Sequence, residues 1–107
     1  MQYIDLDPDY VVFKIRKVAE VIVSGIYRKY ESNGDKISQN DKIRYLSFVK
    51  RVLNKKAQSH LHTIITIGNL SVHEDSDKPT VLEKEDAQFL ITALILAIEE
   101  LKTSNVI

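Results

Sequence analysis

The stretch IGNLSVH at residues 67–73 sets Asn69 and His73 four positions apart, the spacing that brings two side chains onto one face of a helix. An imidazole so placed can take up and return a proton, which makes His73 a candidate catalytic group with Asn69 as its polar neighbour. The same residues also serve as helix punctuation. Gly68 permits close helix approach or an early break, Asn69 can cap that break, and a histidine near a helix C-terminus interacts with exposed carbonyls. Both readings stay open on the residues alone. Arg16 and Glu20 form an i,i+4 pair, the spacing of a surface ion pair or of groups supporting a site. His60 and His62 are two apart, so they do not face together on a helix, and no third ligand lies at zinc spacing. Neither a metal centre nor a cofactor is expected, and the lack of cysteine removes thiolate sites and thiol nucleophiles.

Helices must carry these groups. Asp7-Pro8-Asp9 is a helix start, with an aspartate able to cap free amides and a proline suited to the first turn. Val11, Ile15, Val18, Ile22 and Ile26, with Val12, Ala19 and Tyr30 alongside, predict a broad apolar face opposite Lys14, Arg16, Lys17 and Glu20. Asn33-Gly34 predicts a turn. A second amphipathic segment follows Ser38 to Asp41, with Ile43, Leu46, Val49 and Leu53 on one side. Lys42, Arg44, Lys50 and Arg51 spread over the rest as a basic, solvated face, the strongest local positive patch.

The third segment, Ala57 to His73, contains the β-branched run HTIITI, which favours a strand in isolation. Leu61, Ile64, Ile65, Leu70 and Val72 fit a helical face, however, and no neighbouring segment offers a partner strand, so the expectation is a helix. After the acidic loop EDSDKPT, Thr80 and Glu83 suit a capping box that launches a last helix over Glu83–Lys102. The sum is an all-α fold, an antiparallel bundle of about four helices in one domain over residues 1–107, with the first and last helices longest.

Three segments in order, KIRKVAE, IGNLSVH and LEKEDAQFLITAL, resemble the HEPN superfamily, and more closely its branch known as the domain of unknown function DUF4145. The resemblance implies a HEPN-like helical bundle, usually dimeric, of a kind in which many members are metal-independent ribonucleases of toxin–antitoxin and phage-defence systems. Their motif places Arg, a polar residue, three more residues and then His on one helix. Asn69 and His73 match the last two groups, whereas Gly68 stands where the arginine belongs. In the implied reaction a ribose 2′-hydroxyl attacks the adjacent phosphate, a histidine handles the proton, and a guanidinium stabilises charge on the phosphoryl oxygens. Losing such a donor costs about a hundred- to thousand-fold in rate, so the nuclease centre is expected to be degenerate unless Arg16 or Arg44 substitutes from another helix. The alternative is an active endoribonuclease using His73 and Asn69, with Arg16 and Glu20 in support.

Composition narrows the partners. Fifteen Lys and Arg balance fifteen Asp and Glu, so nothing in the net charge would hold a phosphate backbone, and RNA contact would have to be local. Acids stand where a signal peptide would carry basic residues, and FLITALILAI at 89–98 is too short to span a bilayer. A cytoplasmic protein with no membrane association is expected. The girth-wide apolar character of Phe89, Leu90, Ile91, Leu94, Ile95, Leu96 and Ile98 adds to the expectation of a homodimer, with an RNA or a defence-system protein as further partner.

Overall fold

Helix α1 spans Pro8–Tyr27, and its start is the one expected: Asp7 is extended and its carboxylate accepts the backbone N–H of Tyr10 at 3.2 Å. The computed structural model describes residues 7–70 and 82–107, and of Asp35 and Leu70 the backbone alone. Along α1 the buried stripe is Val11, Val12, Ile15, Ala19, Val23, Ile26 and Tyr27. This stripe is rotated from the expected one. Val18 and Tyr30 are exposed, because the stripe runs through Val12 and Val23, while Arg16 turns inward with only 12% of its side chain exposed.

A short 3-10 turn, Gly34–Lys36, leads to α2, Gln39–Arg44, capped by Ser38, whose Oγ accepts the backbone N–H of Asp41 at 3.1 Å. The helix then widens into a π-helical turn over Tyr45–Val49, in which Lys50 N–H bonds the Tyr45 carbonyl at 3.0 Å. The wider turn shifts the register. Val49, expected in the core, is 66% exposed, whereas Leu46 is fully buried. Arg51, with φ of 57°, reverses the chain as Val52 N–H bonds the Leu46 carbonyl at 2.9 Å, and Leu53 regains the core.

Helix α3, Lys55–Leu70, contains the whole HTIITI run, so tertiary packing of Leu61, Ile64 and Ile65 overrides its strand preference. Asn54 accepts the Ala57 N–H at 2.8 Å at its start. The expected continuation to His73 lies outside the described residues. Helix α4, Lys84–Thr103, starts one residue late. Its capping box joins Glu83 to Asp86, whose carboxylate accepts the Glu83 N–H at 2.8 Å; Thr80 lies outside the described residues.

Consecutive long helices run antiparallel. Arg16 in the first half of α1 meets Asn69 at the end of α3, and Asn54 at the start of α3 meets Glu100 and Ser104 at the end of α4. That arrangement leaves α1 and α4 parallel, and Lys29 beyond α1 accordingly reaches the Val106 carbonyl beyond α4 at 3.2 Å. The three long helices pack on one another and α2 lies against α1 and α3, giving an all-α bundle of four helices. The two longest are α1 and α4, each of 20 residues. Ile43, Leu46, Leu61, Ile64, Leu90 and Leu101 are the largest fully buried side chains among the described residues, and no strand occurs among those residues. Among those residues, too, no helix is long and apolar enough to cross a membrane.

Candidate functional site

Gly68 and Asn69 sit on the last described turn of α3, where α1 crosses at Arg16. A Cβ on residue 68 would stand 2.7 Å from both Cβ and Cδ of Arg16 and 2.8 Å from its Cγ. Only glycine lets the two helices come this close. The aliphatic stem of Arg16 lies across Gly68, and its guanidinium continues to the next residue, where Nη1 donates to Asn69 Oδ1 at 3.2 Å. The same Nη1 is 3.5 Å from Glu20 Oε1, one turn along α1, and the Phe13 ring lies 5.5 Å from Arg16 Cζ. Lys17 approaches the other Glu20 oxygen at 3.8 Å.

Arg16, Glu20, Gly68 and Asn69 thus form one cluster at the α1–α3 crossing. Arg16 is not the exposed group expected of a surface ion pair: its Nε is buried and has no acceptor among the described residues. A guanidinium with one carboxylate and one amide on the same nitrogen is held in position, and its charge is offset by Glu20. Arg44, the other arginine considered, points elsewhere, exposed and 3.7 Å from Asp41. His73, the proton-transfer candidate, lies outside the described residues. His62 is exposed, with Nδ1 3.1 Å from Asn40 Oδ1, and among the described residues no three His, Asp or Glu side chains gather as metal ligands.

A second polar cluster lies at the far end of α1, and the sequence reading missed it. Lys42, expected on the solvated basic face, is 6% exposed. Its Nζ donates to Ser24 Oγ at 3.0 Å and lies 5.9 Å from the centre of the Tyr27 ring. One signal was available. Lys42 is four residues before Leu46, so the two share a helix face, and burial of that face takes the lysine with it. Nearby, Tyr27 donates to Asn33 Oδ1 at 2.8 Å and Tyr45 donates to Glu31 Oε1 at 2.7 Å, tying down the segment that follows α1. The hydrogen bond to the Glu31 carboxylate, with burial adding to it, pushes the Tyr45 phenol from 10.0 up to about 12.

No family model, curated protein or solved structure matches the chain.

Proposed function

We propose that this chain is a HEPN-like helical interaction module that forms a homodimer and works in the cytoplasm beside RNA or a protein partner of a defence or toxin–antitoxin system, its nuclease centre degenerate. The observation that carries the reading is the apolar surface left on the two longest helices: Val18 and Val21 on α1, and Phe89, Ile95 and Leu96 on α4. Val21 is 69% exposed and Phe89 57%. Apolar groups repeated along helix faces in so small a bundle favour cover by another surface. The Arg16 cluster supports the second half of the reading, because a guanidinium whose charge is already offset by Glu20 stabilises a transferring phosphoryl group less than a free one would.

Sedimentation equilibrium tests the dimer. The wild type is expected to associate at tens of micromolar, and Val21→Glu or Ile95→Glu to be monomeric with unchanged helicity; a monomeric wild type would refute it. One observation favours the second reading, an active metal-independent endoribonuclease: Arg16 brings a guanidinium to Asn69 from another helix, beside the glycine that replaces the motif arginine. Incubation with single-stranded RNA in chelator separates the two. Little cleavage is expected, whereas robust cleavage lost in both His73→Ala and Arg16→Lys would establish the ribonuclease.

A further inference from the structure

A cleft of about 430 Å³ opens where the end of α1 meets α2, lined by Ser24, Arg28, Ser32, Gly34 and Lys42. It lies two helical turns along α1 from Arg16 and is separate from the Gly68–Asn69 crossing. We propose that it binds the phosphoryl group of a small phosphorylated molecule.

The reasoning starts from Lys42. Its ammonium carries three donors, and the described structure gives it one hydroxyl and the face of one aromatic ring. No carboxylate among the described side chains forms an ion pair with it. Those closest in sequence are occupied elsewhere: Glu20 by Arg16 and Lys17, Glu31 by the Tyr45 hydroxyl, Asp41 by Arg44. A positive charge on the cleft wall that no described carboxylate offsets favours an anion in the cleft.

The other groups on the wall suit the same ligand. Ser24 Oγ accepts from Lys42 Nζ and, at 3.2 Å, from Gln39 Nε2, so both its lone pairs are used and its own proton is left to donate. Ser32 adds a second hydroxyl, and the exposed Arg28 adds a planar fork of donors. Two positive charges and two hydroxyls match a phosphate dianion in charge and in donor type. The volume lies within the range of small-molecule sites, about 300–1,000 Å³, and leaves room beyond the phosphate for the group that bears it.

Titration calorimetry and thermal unfolding at constant ionic strength, with inorganic phosphate or 5′-AMP replacing chloride, test the site. One saturable site per chain and a rise in Tm are expected. Equal affinities would assign recognition to the phosphoryl group alone, and tighter binding of 5′-AMP would show that its bearer is read too; either supports the site. Lys42→Met and Arg28→Ala are each expected to weaken binding about tenfold or more, since each loses a charge-assisted contact. Lys42→Met should also melt no lower than wild type in chloride alone, because it removes a charge that no described carboxylate offsets. Should it fail to fold, Arg28→Ala and Ser32→Ala carry the affinity readout, as both positions are exposed. Absence of a saturable response in the wild type, or an unchanged one in the cleft variants, would overturn the proposal.

Discussion

Replacing Gly68 with alanine sets two effects of opposite sign against each other. Helix propensity alone favours alanine by about 1 kcal/mol. Against this, the new methyl would stand 2.7 Å from Arg16 Cβ and Cδ. Carbon atoms pack at about 3.5–4.0 Å, so the neighbours must separate by on the order of 1 Å. Rotation of the Arg16 side chain moves Cδ away but not Cβ, which is fixed to the α1 backbone, so the helix itself must shift. Overpacking of this kind costs about 1–3 kcal/mol, and the backbone-fixed contact puts it in the upper part of that range. The net expectation is a loss of about 1–2 kcal/mol, or a Tm roughly 4–16 °C lower for a domain of this size. Circular dichroism melts and urea titrations of the two proteins measure it. In an Arg16→Ala background the penalty should shrink without vanishing, since the Cγ and Cδ contacts go and the Cβ contact stays. A Gly68→Ala protein that melts at or above the wild type would refute the close crossing. The same geometry bears on restoring the motif: an arginine at residue 68 carries the same Cβ and would unseat Arg16 as it entered.

Three further outcomes are expected. Leu61→Ala, at a fully buried position in α3, should cost about 2–5 kcal/mol in urea unfolding. Asn54→Ala removes the acceptor for Ala57 N–H and two hydrogen bonds that tie the start of α3 to the end of α4, and should cost about 1–2 kcal/mol by the same measurement. The Tyr45 phenol is raised to about 12 in the folded protein, so folding favours its protonated form. Its contribution is complete below about pH 10 and is lost as pH rises towards about 12. The stability difference between wild type and Tyr45→Phe should therefore narrow across that window, and a difference constant with pH would remove Glu31 as the cause.

Local signals sufficed for most of the helices. Asp7-Pro8 at the start of α1 and Ser38 ahead of α2 act within one or two turns, so periodicity and capping residues carry them without knowledge of the fold. For α3 the apolar spacing of Leu61, Ile64 and Ile65 competes with the strand preference of HTIITI, and burial of those residues in the bundle decides for the helix. The class, an all-α bundle with α1 and α4 longest, follows from the local signals. Position within the bundle does not. Val49 left the core because a single π-helical turn changed the register, and the sequence up to that point gives no sign of the extra residue. Arg16 and Lys42 look like solvated cations when their own helices are read alone, yet each is buried by a neighbour that is distant in sequence: Gly68 and Asn69 for Arg16, Ser24 and Tyr27 for Lys42. Charge and periodicity are properties of a segment. Burial and the identity of a polar partner belong to the crossing of two segments, and only the tertiary structure decides where helices cross.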